Sequence, residues 1–575
     1  MTTQNKPHAF PPLLSLQTLT AMRRSLSAAL LFAIAALFLF ASFSLHLSRS
    51  DLIHRYPIPS PAADHHLLRH DDQSPPLSHV SSVSTVAVLL PAWKVLVIVS
   101  PETPLSEKDR YVCVFQNNRT SRARFAGILP SRNRTAFYCA MPNRVRRLRP
   151  FLQPVLSRKS LIINNDSPGP TTVPEMIRWT FLVYESFSTE DDVVLLAKGL
   201  NNRQGVNRPL SEFRCVFGDA SKPDAVRTAV TSSNQEVFRC PHPDLTAALN
   251  DDANARISLE IVDGNRVIPS VAYYTAPKRR RRTSSSSNAG PTEQPSHELC
   301  ACTMVYNVAK FLREWVTYHS RIGVDRFILY DNDSDDDLEH VVRQLNQEGF
   351  NVTTTFWIWP KTQEAGFSHT AVYAKSLCKW MIYIDVDEFV FAPNSWGESP
   401  APGRHMLKSL IPKDPSIGQV SIHCNEFGPS NQKTHPLEGV TQGYTCRRRF
   451  EQRHKSIVLL EAVEHSLLNV IHHFDIKKEF RTKQLSSEDA IVNHYKYQAW
   501  PEFQTKFRRR VSAYVVDWTE GLNPMSKDRT PGLGFQPVEP KGWPEMFCEV
   551  RDERLKMLTQ KWFGSPTSSK MVWQS

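Results

Sequence analysis

The segment CKWMIYIDVDEFVF, residues 378–391, decides the reading of the C-terminal half of the chain. Its first part is largely apolar, as expected of a strand buried on both faces. Asp385 and Asp387 then alternate with Val386, so on an extended strand end the two carboxylates point the same way. Convergent carboxylates repel one another unless a cation lies between them or water screens them. A hard divalent ion that also bridges phosphate oxygens supplies that cation. An isolated Asp-x-Asp is common by chance, so its position in the fold carries the argument.

Upstream, residues 299–345 give a strand at ACTMVYN, and then Val308, Phe311, Leu312, Trp315, His319 and Ile322 recur at helical spacing, with Gly323 as the stop. A second strand follows at DRFILYD. Asp331, Asn332 and Ser334 fall at its C-terminal end, where open α/β sheets bind ligands. The same cluster is ordinary turn chemistry, and Ser334 with Asp337 forms a plausible capping box. A third strand is expected at NVTTTFWIWP, a helix at AVYAKSLCK, and then the Asp-x-Asp strand. The order predicts an α/β domain of Rossmann-like, nucleotide-sugar-binding type.

Four stretches, CTMVYNVAKFLREWVTYHSRIGVDRFILYDNDSDD, KTQEAGFSHT, CKWMIYIDVDEFVF and NHYKYQAWPEF, together resemble glycosyltransferase family 92 in its plant branch, formerly a domain of unknown function. The resemblance spans roughly residues 299–520. It implies a GT-A fold, inverting transfer, dependence on Mn²⁺ (or Mg²⁺), and a UDP-sugar donor, UDP-galactose in characterised members. Acceptors in the family are β-1,4-galactan side chains of pectin or core fucose of N-glycans. Carried over by motif, Asp331 contacts the uridine or its ribose, Asp385 the ribose or the metal, and Asp387 the metal, with His494 completing the metal shell. Val308 stands where many related transferases carry Glu or Gln, which puts in doubt any polar role at that place.

Inverting transfer needs a general base beside the acceptor hydroxyl. Glu426 and Glu438, in the loop-rich stretch after the Asp-x-Asp, are equal candidates. Lys455 and Arg447 to Arg449 are candidates for offsetting diphosphate charge, against a background of ordinary exposed basic residues. Cys424 and Cys446 are expected to pair and brace this region. Farther on, Trp500, Phe503, Phe507, Val511 and Tyr514 share one face of a packing helix.

The N-terminal half has a different character. Residues 1–24 read as a cytosolic tail and the uncharged stretch 25–48 as a transmembrane signal anchor, long enough as a helix to cross about 30 Å of hydrocarbon. Arg23 and Arg24 directly before it place the tail in the cytosol and all that follows in the lumen. The expected location is the Golgi membrane, single-pass type II. Residues 49–84, rich in Pro, Ser, His and Asp, form a stem. Residues 85–276 read as a β-rich accessory region in which Cys113 answers Cys139 and Cys215 answers Cys240, each pair expected to form a disulfide. Residues 277–298, with four consecutive arginines and a serine run, form a linker, and residues 299–565 the catalytic domain.

The chain has 575 residues and a net charge of +12. A lumenal protein does not meet nucleic acid, so this charge suits the donor diphosphate or an acidic glycan. Ten cysteines without zinc-type spacing point to disulfides. With what the family resemblance implies, the expected function is metal-dependent galactosyl transfer to a cell-wall polysaccharide or glycoprotein glycan. The alternative is a non-catalytic carbohydrate-binding or scaffolding protein of the same fold. A metal-dependent hydrolase would need a histidine-rich dinuclear pattern that the sequence lacks. Oligomeric state is not legible.

Overall fold

Long runs of Val, Ile, Leu and aromatic residues after His297 build the centre of the catalytic half. In this computed structural model they form β1 (His297–Val305), α1 (Ala309–Ile322), β2 (Arg326–Asp331), α2 (Leu338–Gln347), β3 (Val352–Phe356), α3 (Gln363–Tyr373) and β4 (Cys378–Tyr383). The sheet continues through β5 (Glu388–Phe391), β6 (Ile417–Glu426), β7 (Gln452–Leu459), β8 (Arg481–Gln484) and β9 (Ile491–His494). The described residues are 84–101, 103, 105, 110–158, 173–201, 207–243, 255–277, 294–470, 472–506, 539–568 and 570–574. The expected tail, anchor and all of the stem but Ser84 lie outside them, as do residues 278–293 of the basic linker and Phe507, Val511 and Tyr514 of the expected packing helix. Among the described residues no helix is long and apolar enough to cross a membrane.

The strands lie in the order β3-β2-β1-β4-β7-β6-β9-β5, with β8 beside β6, giving nine strands among the described residues. β3, β2, β1 and β4 are mutually parallel, and β7 returns antiparallel to β4. The C-terminal ends of β1, β2, β3 and β4 therefore share one edge, the usual ligand side of such sheets. Helix α1 buries Phe311, Leu312, Trp315 and Ile322 and ends at Gly323, whose φ of 128° suits only a residue without a side chain.

Two local expectations change. Helix α3 begins at Gln363, within KTQEAGFSHT, and stops at Tyr373 instead of running through AVYAKSLCK. Ala365 to Ala371 are all buried, so the segment packs on every side and shows no amphipathic period. Ser334 does not cap α2, whose N-cap position is Asp337 without a side-chain cap. Its Oγ instead accepts from the Asn307 N–H at 3.0 Å, while its own N–H donates to Asp331 Oδ1 at 2.9 Å.

Before the α/β sheet lie two β-sandwiches. In the first, a five-stranded sheet containing Arg134–Ala140 faces a three-stranded sheet containing Tyr111–Phe115, and Cys113–Cys139 joins the two. In the second, two four-stranded sheets are joined by Cys215–Cys240, between Phe213–Phe217 and Val237–Pro241. Residues Val80–Ser575 form one compact unit. Leu96, Trp179, Tyr184 and Val194 of the sandwiches share a core with Ile328, Tyr330, Trp357 and Trp359 of the α/β part.

The pairing expected between Cys424 and Cys446 is absent. Cys424 is a buried free thiol on β6, packed in the sheet's core, whereas Cys446 bonds Cys548. The reason is long-range pairing: Cys446–Arg447 pairs antiparallel with Val550–Arg551, which brings the segment carrying Cys548 back beside Cys446. Cys300–Cys378 is a further disulfide, linking neighbouring β1 and β4. Mass mapping of the unreduced protein should find Cys446 joined to Cys548 and Cys424 alkylated only after unfolding; a Cys424–Cys446 peptide would contradict this arrangement.

Candidate active site

The Asp-x-Asp lies in the connection between β4 and β5, not on an extended strand end. Val386 turns into the core, 5% exposed, and the two carboxylates take separate partners. Asp385 Oδ2 accepts from Lys455 Nζ at 3.1 Å and lies 3.5 Å from His472 Nε2, while Gln363 Nε2 donates to its Oδ1 at 3.3 Å. Asp387 Oδ2 lies 3.4 Å from His494 Nε2 and is paired with Lys506, whose ammonium also donates to the Tyr495 carbonyl at 3.3 Å.

Lys455 is the hub of the first cluster. It is 7% exposed at its side chain and sits 2.8 Å from Glu388 Oε1 and 2.8 Å from His472 Nε2, besides Asp385. Its ammonium donates hydrogen bonds to Asp385 and His472 and forms an ion pair with Glu388. Burial works to strip its proton, but Asp385 and Glu388 outweigh it and hold Lys455 charged above its usual range. Burial likewise works to raise Asp385, and Lys455 followed by His472 pulls it below the ordinary carboxylate range. Burial, reinforced by Lys455, pushes His472 down to about 3. A neutral His472 accepting the Lys455 proton at Nε2 fits this.

Glu388, fully buried, braces both Asp residues. Its Oε2 accepts the Asp385 N–H at 2.8 Å, and its Oε1 lies 3.4 Å from His494 Nδ1. A histidine that offers Nε2 outward and is backed by a carboxylate at Nδ1 is the arrangement of oriented metal-binding histidines. Burial also works against ionisation of Asp387, yet Lys506 and then His494 hold it well below the usual carboxylate range.

Asp385, Asp387 and His494 line one cavity of about 840 Å³, together with Asn332, Lys361, Gln363, Lys496, Glu502 and Lys506. Its other walls come from Met304 to Phe311, between β1 and α1, and from the Pro360–Gln363 turn. Four lysines, Lys310, Lys361, Lys496 and Lys506, bring positive charge to it. Among the described residues no group of three or more His, Cys, Asp or Glu side chains is arranged to hold a metal ion. The donor chemistry of Asp387 and His494 nevertheless fits a divalent cation: a carboxylate oxygen that already holds the Lys506 ammonium, beside an imidazole nitrogen, on a cavity wall.

The remaining candidates lie elsewhere. Asp331 does not line the cavity; it accepts the Ser334 N–H and shapes the turn, while its neighbour Asn332 reaches the wall. Lys455 lies behind Asp385. Glu426 does not line the cavity; it is buried behind its wall, paired in register with His494 and held by Lys496, by Arg448 at 3.4 Å and by the Tyr497 hydroxyl at 3.2 Å. Glu438 is exposed, and its carbonyl accepts from Trp573 Nε1 at 2.8 Å. Arg447 pairs with Asp552 at 2.8 Å, and Arg449 donates its backbone N–H to Glu549.

Glu502, within the quoted NHYKYQAWPEF, escaped the sequence reading. It lines the cavity and pairs with Lys310 at 2.5 Å. Its clue was present: eight residues after His494, one helical segment carries it back to the same wall. Lys506, from the same segment, is likewise unsignalled in the sequence and reaches Asp387 at the cavity.

Residues 296–529 match the family model described as glycosyltransferase family 92. A family 92 protein of Arabidopsis thaliana is 41% identical over 406 residues, 69% of this chain and 69% of the relative. One of Oryza sativa subsp. japonica is 40% identical over 414 residues, 69% of this chain and 68% of the relative. Among solved structures, a mannosyltransferase of Pyrobaculum calidifontis in complex with GDP-Man and Mn²⁺ matches with a TM-score of 0.25 and 11% identity, over 40% of this chain and 65% of the other.

Proposed function

Since the chain belongs to glycosyltransferase family 92, we propose that this cavity is the donor site of an inverting, metal-dependent galactosyltransferase of GT-A type. The donor is UDP-galactose and the acceptor a galactan-like cell-wall polysaccharide or a glycoprotein glycan. Residues 25–48 anchor the protein in the Golgi membrane with the catalytic domain in the lumen. One observation carries the reading: the Asp387–His494 pair stands on the wall of a lysine-rich cavity at the C-terminal edge of parallel strands.

Asp387 and His494 would hold the divalent ion, Mn²⁺ or Mg²⁺, which when bound offsets diphosphate charge and eases departure of the nucleotide. Lys310, Lys361, Lys496 and Lys506 add to that offset from the surrounding wall. Asp385, locked by Lys455, His472 and Gln363, presents fixed negative charge beside the pair.

The base is read differently from the sequence expectation, because neither Glu426 nor Glu438 lines the cavity. Of the described carboxylates that do, Asp336 accepts the first N–H of α1 at 2.8 Å and Asp337 is an exposed side chain at the start of α2. With Asp385 and Asp387 committed as above, Glu502 is left to take the acceptor proton, and Lys310 keeps it oriented.

The test is a nucleotide-sugar screen of the full-length protein in detergent, read by UDP release and followed by an acceptor screen. UDP-galactose should be turned over only with added Mn²⁺ or Mg²⁺. Turnover of a different nucleotide sugar would remove the galactose assignment and leave the transfer reading standing. Binding on a glycan array with no UDP release from any donor would favour a scaffolding role. In the active assay, Glu502→Gln should lower kcat by about 10²–10³ with the donor KM little changed, the size expected for loss of a general base. Full activity in that variant would exclude Glu502 as the base.

A further inference from the structure

The sandwiches do more than precede the catalytic domain: they hold the two turns that form one rim of the cavity. The first turn, after β2, contains Asn332, which lines the cavity, and Asp333, which has a φ of 70°. Lys94 of the first sandwich reaches Asp333 Oδ2 at 2.5 Å, its ammonium lying 3.8 Å from the Tyr138 ring centre. The second turn, before α3, contains Pro360 and Lys361, both lining the cavity, and Lys361 has a φ of 63°. Lys198 of the second sandwich donates to the Lys361 carbonyl at 3.1 Å. Just before it, Trp359 stacks on Trp179, ring centres 5.6 Å apart and planes 11° apart.

The turns are also tied to each other, since Asn332 Nδ2 donates to the carbonyls of Trp357 at 2.6 Å and Trp359 at 3.0 Å. Left-handed backbone at a residue with a side chain costs energy and persists where the surroundings over-determine it. Here each such residue is gripped from the sandwiches. From the second turn the contact continues through Gln363 to Asp385.

We propose that the β-sandwich pair is a fixed support behind the donor site, setting the positions of the 331–337 and 357–363 turns and hence the affinity for the nucleotide diphosphate. This rests on the donor-site reading above. The sandwiches are thereby positioning elements for donor binding and not a separable spacer.

The test uses the full chain with UDP and MnCl₂ as the probe, in the double variant Lys94→Met with Lys198→Met, and separately in Trp179→Ala. Lys222→Met, an exposed position of the second sandwich, serves as control. The double variant should weaken UDP binding and raise the donor KM by about tenfold, as small displacements of positioning groups do, with kcat retained. Its melting temperature should fall, because Lys198 also pairs with the largely buried Glu236, so binding is measured well below the transition, where the affinity loss should persist. Hydrogen exchange should rise in the peptides covering 331–337 and 357–363 and be unchanged elsewhere. If wild-type protein binds UDP and the double variant binds it equally well, the inference is overturned while the donor site stands. If wild-type protein binds no UDP, both fall. Should Trp179→Ala fail to fold, the double lysine variant decides alone.

Discussion

Asp387→Ala should lower kcat/KM for the nucleotide-sugar donor by at least about 10³, roughly 4 kcal/mol of transition-state stabilisation. Its carboxylate is the one that faces His494 across 3.4 Å on the cavity wall, and no other described acid lies within ion-pair distance of His494 Nε2. Glu388, on the far side of the ring, cannot replace it because it is fully buried and held by Lys455. Asp387→Asn should be nearly as inactive, since it keeps the volume and loses the charge that a divalent ion requires. Mn²⁺ binding, followed by electron paramagnetic resonance without any donor, should weaken in both variants. Stability should change little, because the Lys506 partner is partly exposed and can return to water. Unimpaired turnover in Asp387→Ala would remove the Asp-x-Asp from the chemistry and with it the proposed mechanism.

What sequence reading can reach is set by how local the signal is. The strands around Cys302, Leu329 and Ile382 and the helix ending at Gly323 announce themselves by short-range periodicity and a stop residue. Cys113–Cys139 and Cys215–Cys240 were legible because each partner sits in its own strand-like run. Cys446 failed the same logic: its nearest cysteine in sequence lies inside the sheet, and its true partner arrives through pairing with Val550–Arg551 far down the chain. Helix α3 was misplaced because burial on all sides erases the amphipathic period.

The same limit applies to the candidate site. The Asp-x-Asp is visible as a string, but its geometry comes from Lys455, His472 and His494, brought in by β7, the turn before Phe474, and β9. Alternation suggested two carboxylates aimed together; the turn between β4 and β5 instead gives each its own basic partner. Glu388 looked like one more residue of a strand, and only the fold shows it bridging Asp385, Lys455 and His494.

Lys455→Met should be among the most destabilising single changes in the α/β half, costing about 3–5 kcal/mol, because it removes a buried cation held between the fully buried Glu388 and the partly exposed Asp385. Wild-type Lys455 satisfies Asp385, Glu388 and His472 at once, and methionine can fill its volume but none of those contacts. Thermal and denaturant unfolding of the full chain measure the loss. The sign of its pH dependence follows from the charges. Asp385 in the wild-type protein is held below its ordinary range, so it contributes stability at neutral pH that is lost only as pH falls through that depressed value. Burial already raises Glu388 in the wild-type protein; without Lys455 it raises Glu388 further and Asp385 as well, so the variant loses more stability as pH rises through the raised values. The gap between variant and wild type should therefore be widest near neutrality and narrow as pH falls into the ordinary carboxylate range. Adding Glu388→Gln to Lys455→Met should restore part of the stability by removing the fully buried charge, and such non-additivity marks a coupled cluster. It should not restore activity, since Asp385 and His494 lose their support together. A Lys455→Met protein as stable as wild type at neutral pH would mean that water or another cation replaces the ammonium, and that Asp385 is not held from behind as the geometry requires.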